Sequence, residues 1–400
     1  MIKKLIKVGG IRVLSVIASL VFTLYLTRNY SSEKVGEYQL VFNLCFILSQ
    51  FSIMGVGNWL IKELGKSDKG IDNYSFKALL TVIFLSAIVC VLSYIPITNY
   101  LISKNINIYP SLVLLVVLQI SISNLIIPHY QGKHRVNVGL LLFNIVQPTV
   151  FIILSSVFSD LYLSLVMSFL AINVVFIFLL LTNECNIKRF RIIEIFSVIK
   201  TTKKFNIAQL LTIVTSNLAV FLGAYYVSLT ELAYLTTSIR VATFSVFFLT
   251  IINYITAPRY SEIYSNHPEK LRNYVVRYNR IIYILTIPSI AMLYFLNEYI
   301  LVYFGGEYVN ASNMLSILII GYGFNALTGS VGYLLLMTGN ERDVIFSNLI
   351  SLIPYFFILI YHGHFDGEHF ALLITLSMCM KNLYNLVSVR VRLGFWSFVR

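Results

Sequence analysis

The sequence is poor in charge, and above all in acidic residues. Only 12% of its 400 residues are charged, about half the share of a typical soluble domain. Asp and Glu number 17 against 30 Lys and Arg, and the hydrophobic share is 58%. These shortages exclude a soluble globular domain and predict an all-α integral membrane protein. The net charge of +13 does not indicate nucleic-acid binding, because the basic residues lie between apolar runs and not on one soluble face.

Cysteine is also scarce. The chain has 4 cysteines and no CxxC spacing, which supports neither a metal knuckle nor a disulfide framework. We therefore predict no metal and no cofactor. The first apolar run begins like a signal peptide, but it is too long and lacks a small-residue cleavage site, so we interpret it as a retained first span.

Long apolar runs, in contrast, are abundant. A bilayer is crossed by about 20 apolar residues in a helix, and twelve runs meet or approach this length, none of them containing Asp or Glu. They are residues 8–27, 38–61, 78–98, 106–127, 136–158, 161–182, 205–229, 232–257, 281–297, 311–337, 344–361 and 370–390. The fold class predicted is therefore twelve transmembrane helices.

The distribution of basic residues orients these spans. If alternate connections face one side, twenty-five of the 30 Lys and Arg lie on the side of both termini. Because basic loops stay in the cytoplasm, both termini are predicted to be cytoplasmic. The basic segment 183–204 divides the chain, which predicts a six-helix lobe over 1–182, a cytoplasmic linker, and a second six-helix lobe over 205–400.

Two permanent or near-permanent cations lie inside predicted spans. Arg240 is the ninth residue of its span, and Lys381 is the twelfth of 21 in the last one. A charged side chain at the helix centre costs about 2.5–3.5 kcal/mol on insertion scales. Since no carboxylate in the spans can pair with them, we predict that Arg240 and Lys381 bind an anionic substrate, such as a phosphate. The alternative is that they snorkel to an interface or pair structurally.

Neutral polar residues accompany these cations. Asn43, Gln50 and Asn58 are separated by 7 and 8 residues, which predicts one face of a single helix. Further candidates for substrate binding lie in later spans, and these are Asn217, Asn325 and Asn385. Together they favour a hydrated central cavity, although interhelical hydrogen bonds are the alternative for each residue taken alone.

One outer connection has a conspicuous composition. Residues 361–370 read YHGHFDGEHF and contain three histidines and two acids. Such a loop could bind a divalent metal or supply an acidic catalytic pair. A short polar turn is the favoured interpretation.

Several segments carry a family resemblance. They are YLTRNYSSEKVGEYQLVFNL, FSIMGVGNWLIKELG, YQGKHRVN, YFGGEYVNASNML and LLLMTGNERD, in this order along the chain. With these, the sequence resembles bacterial polysaccharide flippases, the O-antigen (Wzx-type) branch of the multidrug/oligosaccharidyl-lipid/polysaccharide exporter superfamily. The resemblance implies two six-helix lobes around a V-shaped central cavity. It also implies transfer of an undecaprenyl-diphosphate-linked oligosaccharide from the inner to the outer leaflet by alternating access.

Two arginines of the first span are further candidates, Arg28 from the resemblance and Arg12 from its position. Arg28 matches the family's arginine at the end of this span, which implies contact with the substrate headgroup. Arg12 lies near the other end, where a membrane anchor is the favoured interpretation and a headgroup contact the alternative. The turn after Arg28 reads Asn29-Tyr30-Ser31-Ser32 where the family has a Leu-Gly-Pro-like turn.

The implied setting is a multi-pass protein of the bacterial cytoplasmic membrane. Its partners would be the lipid-linked oligosaccharide, membrane lipids and other polysaccharide assembly proteins, and it would not be an enzyme. Two rival functions stay open. One is a membrane enzyme of the same pathway, either an O-antigen polymerase or a polyprenyl-phosphate glycosyltransferase. The other is a multidrug exporter of the same fold, for which an acidic residue within the spans would be expected.

Overall fold

The computed structural model describes residues 2–53, 55–66, 74–104, 106, 108–133, 135–158, 160–184, 193–360 and 364–397. Throughout this part of the chain the regular structure is helical. The predicted all-α class is confirmed. Apolar runs form helices because a helix satisfies every backbone N–H and C=O internally, which a hydrocarbon environment demands.

Nineteen α-helices follow one another along the described chain. They are α1 (Ile2–Asn29), α2 (Ser32–Ile53), α3 (Val56–Lys66), α4 (Tyr74–Ser103), α5 (Pro110–Ser123), α6 (Ile126–Gly132), α7 (Val136–Leu141), α8 (Gln147–Phe158), α9 (Leu161–Glu184), α10 (Ile193–Tyr226), α11 (Leu229–Ala242), α12 (Phe247–Asn266), α13 (Pro268–Phe295), α14 (Asn297–Phe304), α15 (Ser312–Thr328), α16 (Val331–Met337), α17 (Glu341–Ile350), α18 (Phe357–Ile360) and α19 (Gly367–Leu393). One π-helical segment, Leu142–Val146, and three 3-10 segments, Thr243–Val246, Gly306–Ala311 and Ile353–Phe356, join some of them.

Eight helical segments of the described chain are long and apolar enough to cross a membrane, and a shorter apolar helix covers Val13–Asn29. The eight coincide with eight of the predicted spans, including those that carry Arg240 and Lys381. The chain is therefore a multi-pass membrane protein. The count of twelve spans and the cytoplasmic position of both termini stay predictions.

Several predicted spans are interrupted. The second span breaks between α2 and α3, where buried Gly55 has a φ of 76°, a conformation that favours glycine. The prediction that Asn58 continues the face of Asn43 and Gln50 is therefore wrong, because Asn58 lies on a separate helix. The tenth span breaks similarly at Gly329, with a φ of 74°.

The helices group into two compact units. Unit 1 comprises residues 1–25 and 40–214, and unit 2 comprises 26–39 and 215–400. The lobes predicted from sequence, over 1–182 and 205–400 with the linker 183–204, stay a prediction. The units depart from those lobes most clearly in residues 26–39, which lie with unit 2 although they belong to the first part of the chain.

The interior of unit 1 holds a closed hydrogen-bond network. The amide of Asn173 donates to the side-chain carbonyl of Gln119 at 2.6 Å and to its backbone carbonyl at 2.9 Å. Ser123 Oγ donates to Asn173 Oδ1 at 2.8 Å. These three residues are nearly fully buried, so the polar groups of α5 and α9 join the two helices and stabilise their packing.

One part of the interior of unit 2 is an apolar cluster. Tyr260, Leu271, Val331 and Val389 form a buried cluster, and Phe395 from the segment after α19 packs into it. Two small residues allow close helix packing elsewhere in this unit. A Cβ at Gly321 of α15 would lie 2.7 Å from Thr375 Oγ1 of α19, which is why these two helices can pack closely.

Candidate functional site

Arg240 lies in the last turn of α11, immediately before a break in the helix. Ser228 caps the start of α11 by accepting a hydrogen bond from the backbone N–H of Glu231 at 3.2 Å. The 3-10 segment Thr243–Val246 follows, and Thr243 Oγ1 donates to the carbonyl of Arg240 at 2.6 Å. The cation is therefore placed at an irregular point of a membrane-spanning segment.

The guanidinium of Arg240 contacts the amide of Gln39. Arg240 Nη2 donates to Gln39 Oε1 at 3.2 Å, and both residues belong to unit 2. Gln39 is 2% exposed and Arg240 is partly buried. Gln39 is not among the residues predicted from the sequence. The available signal was its position four residues before Asn43, which continues the same polar helical face by one turn.

The segment that carries Gln39 is held in unit 2 at several points. Gly36 packs on the start of α11 so closely that a Cβ would overlap the backbone carbonyl of Leu229. Ser32 Oγ donates to Glu307 Oε2 at 3.1 Å. These contacts fix the first two turns of α2 against α11 and the segment after α14.

Arg28 has a structural role in the same segment. Its Nε donates to the carbonyl of Tyr303 at 2.5 Å and its Nη2 to that of Val302 at 3.1 Å. These carbonyls lie at the C-terminal end of α14, which attracts cations because its last C=O groups have no helical partner. The implied headgroup contact of Arg28 stays a prediction, and the observed arrangement is that of a helix cap.

Lys381 lies near the centre of α19, which is 27 residues long. Within the described part of the chain, no hydrogen bond or ion pair joins its ammonium group to another residue. The side chain is partly buried. A charge in this position lacks the partner that a purely structural lysine would be expected to have.

The remaining predicted residues are divided between the units. In unit 2, Asn325 and Asn217 are partly buried and Asn385 is 2% exposed. Helices α11, α15 and α19 pack against one another there, so Arg240, Asn325 and Lys381 lie on neighbouring helices. In unit 1, Gln50 is buried, Asn43 is partly buried and Asn58 is exposed. The side chain of Arg12 lies outside the described residues.

The two units differ in how well their buried polar groups are paired. Among the described side chains, buried nitrogen and oxygen atoms without a hydrogen-bond partner belong to unit 2, with the single exception of Asn137 Oδ1. They include Ser245 Oγ in the break after Arg240, Thr286 Oγ1 and Asn385 Oδ1. Since buried polar groups are normally satisfied by protein or water, these atoms show that the interior of unit 2 is partly polar.

The acidic loop before α19 forms a helix cap. Asp366 Oδ1 accepts a hydrogen bond from the backbone N–H of His369 at 2.9 Å, and the His369 ring bonds back to Asp366. This capping box starts α19. Burial acts to raise the pKa of Asp366, but the hydrogen bonds and charge of His369 outweigh it and hold this pKa below its ordinary value. His362 lies outside the described residues.

We expect Asp366→Ala to lower the melting temperature, because losing an N-cap costs about 0.5–2 kcal/mol. Asp366→Asn keeps the cap and should remain near wild type at neutral pH. The depressed folded-state pKa means that the Asp366 contribution is present above the unfolded value of about 3.9 and is lost as pH falls through the lower folded value. Melting in detergent across this pH range should therefore show a smaller acid-induced loss for Asp366→Asn. Glu262→Gln, at an exposed ion pair, is the control and should change little.

The comparisons with known proteins identify a family. The family model described as "Polysaccharide biosynthesis protein" matches residues 25–313, well over half of the chain. No curated protein is a significant match by sequence.

Solved structures with a similar fold are membrane transporters. The lipid II flippase MurJ in an inward closed conformation is 16% identical with a TM-score of 0.71, over 98% of this chain and 88% of that chain. An inward-facing multidrug resistance MATE family transporter of the MOP superfamily is 12% identical with a TM-score of 0.70, over 96% and 98%. A MOP superfamily transporter from Pyrococcus furiosus is 12% identical with a TM-score of 0.64, over 98% and 95%. At these identities the likeness shows the fold alone.

Proposed function

The chain belongs to the polysaccharide biosynthesis protein family, and we propose that it translocates a lipid-linked saccharide across a bacterial cytoplasmic membrane. The substrate proposed is an undecaprenyl-diphosphate-linked O-antigen or polysaccharide repeat unit. It enters from the inner leaflet and leaves in the outer leaflet. The similarity of fold to a lipid II flippase supports a lipid-linked cargo.

The observation that carries this proposal is a pair of cations on membrane-spanning helices of unit 2. Arg240 and Lys381 lie on α11 and α19, and Lys381 has no acceptor within the described residues. A diphosphate provides the matching anion. Guanidinium binds phosphate oxygens through two parallel N–H donors, and an ammonium group acts as a compact point charge.

The parts of the substrate differ in what they need from the protein. The polyprenyl tail stays in hydrocarbon without help, because it is as apolar as the lipid. The diphosphate and the sugars need polar partners throughout the crossing. Arg240 and Lys381 serve the diphosphate, while the asparagines of unit 2 and tyrosine side chains serve sugar hydroxyls and ring faces. Alternating exposure of these groups to the two sides of the membrane completes the transfer.

The test is deletion of the gene in its host, followed by extraction and sizing of lipid-linked saccharides from each leaflet. We expect complete repeat units to accumulate on the cytoplasmic side while surface polysaccharide disappears. Restoration by a plasmid copy of the wild-type gene is the control.

Two other outcomes would overturn the proposal in different ways. Single repeat units that reach the surface without polymerising would mean that translocation is independent of this protein, and would favour a polymerase. Unchanged surface polysaccharide together with increased sensitivity to cationic drugs would favour a drug exporter of the same fold.

A further inference from the structure

We propose that Gln39 is a positioning residue that holds the Arg240 guanidinium with a neutral amide, which adds no negative charge at the place where the anionic headgroup would bind. This inference rests on the proposed function. In this inference, residues 26–39 position the residue of α11 that contacts the substrate.

The contact is direct and lies inside unit 2. Arg240 Nη2 and Gln39 Oε1 are 3.2 Å apart, and the two residues are separated by 201 positions in the chain. Gln39 is 2% exposed, so its side chain is fixed by packing. A partly buried donor–acceptor pair of this kind restricts the rotamers of a long arginine side chain, which favours binding because less entropy is lost when the substrate arrives.

The surrounding backbone fixes the position of Gln39. Gly36 lies one turn earlier on α2, and its lack of a side chain lets α2 touch the backbone of Leu229 at the start of α11. The bond between Ser32 and Glu307 and the cap that Arg28 provides for α14 hold the preceding residues. Gln39 therefore contacts Arg240 because several contacts within unit 2 hold this whole segment in place.

The chemistry of the amide distinguishes positioning from neutralisation. A buried arginine is stabilised most directly by a carboxylate, and α2 does carry acids nearby, at Glu33 and Glu37. Position 39 instead has the neutral isostere of glutamate. An amide oxygen accepts one N–H bond from the guanidinium without adding a negative charge, whereas a carboxylate at this position would add one and repel a phosphate.

The experiment uses the purified full-length protein in detergent and two probes, geranylgeranyl diphosphate and geranylgeraniol. The wild type is expected to bind the diphosphate more tightly than the alcohol. Gln39→Glu should weaken diphosphate binding by about tenfold or more, because a like charge next to the anion costs over 1 kcal/mol. Gln39→Met, which keeps the shape and loses the hydrogen bond, should weaken it by about threefold. Gln131→Glu, the same substitution at an exposed position of α6, should leave it unchanged.

A double-mutant cycle separates positioning from a general structural effect. In an Arg240→Ala background, Gln39→Met should have no further effect on diphosphate affinity, because the residue that it positions is gone. An equal loss in both backgrounds would overturn the proposal. Melting temperatures check folding, and if Gln39→Glu does not fold, the cycle with Gln39→Met carries the test.

Failure of the inference and failure of the proposed function give different results. If the wild type binds diphosphate and alcohol equally, headgroup recognition fails and the proposed function with it. If the wild type prefers the diphosphate and both Gln39 variants keep that preference in full, Gln39 has no positioning role while the proposed function stands.

Discussion

Cells whose only copy of the protein carries Arg240→Ala are expected to lose surface polysaccharide by about tenfold or more. A hydrogen bond to a charged group contributes about 1.5–3 kcal/mol, and about 1.4 kcal/mol corresponds to a tenfold change in affinity. Arg240 offers several such donors to a diphosphate. Lipid-linked repeat units should accumulate on the cytoplasmic side, as in the deletion strain.

Arg240→Lys is the informative conservative variant. Lysine keeps the positive charge but loses the planar fork that binds two phosphate oxygens at once, and it reaches Gln39 with different geometry. We therefore expect polysaccharide levels between those of Arg240→Ala and the wild type. Such a gradation distinguishes recognition of a phosphate from a requirement for charge alone.

The control is an arginine of the same unit outside the membrane-spanning segments that carry the candidate site. Arg259 forms an exposed ion pair with Glu262 on α12, and Arg259→Ala should leave surface polysaccharide near its wild-type level. Immunoblots of the membrane fraction confirm equal amounts of each variant. Full polysaccharide production by Arg240→Ala at normal protein levels would remove Arg240 from the substrate site.

The sequence predicts well the features that depend on local composition. An apolar run of about 20 residues needs no tertiary information to be recognised, and eight predicted spans coincide with helices of sufficient length. Arg240 and Lys381 could be selected for the same reason, since a charge within an apolar run is visible without knowledge of its neighbours.

Features that depend on contacts between distant residues were not predictable. The hydrogen bond between Gln39 and Arg240 joins residues 201 positions apart, and its amide looks in the sequence like any other polar residue of α2. Arg28 is a second residue whose contacts could not be predicted from the sequence. Its sequence context implies a headgroup contact, but the carbonyls at the end of α14 that it caps lie more than 270 positions away.

Helix breaks are a third feature that composition does not reveal. Gly55 and Gly329 stand in apolar runs whose hydropathy is continuous, and only their positive φ angles show that the helices end there. A glycine in a membrane helix is equally compatible with close packing, as Gly321 against Thr375 demonstrates. Because the helix breaks at Gly55, Asn58 lies on a separate helix and does not share the predicted face with Asn43 and Gln50.

Lys381→Met is expected to impair transport without lowering stability, and this combination separates a functional cation from a structural one. Within the described residues its ammonium group has no hydrogen bond or ion pair to lose. Replacing a partly buried, unpaired charge with an apolar side chain of similar length removes a desolvation penalty. The melting temperature in detergent should therefore stay the same or rise.

Surface polysaccharide should nevertheless fall by about tenfold, because the diphosphate loses a point charge from its site. Lys270→Met is the matched control, since Lys270 is exposed near the start of α13 and should affect neither measurement. A lower melting temperature for Lys381→Met would indicate that the charge has a structural partner in the folded protein. A stable variant with full transport would mean that Lys381 does not contribute to transport. The predicted pattern, stability kept and transport lost, is the one that a cation awaiting an anionic substrate should give.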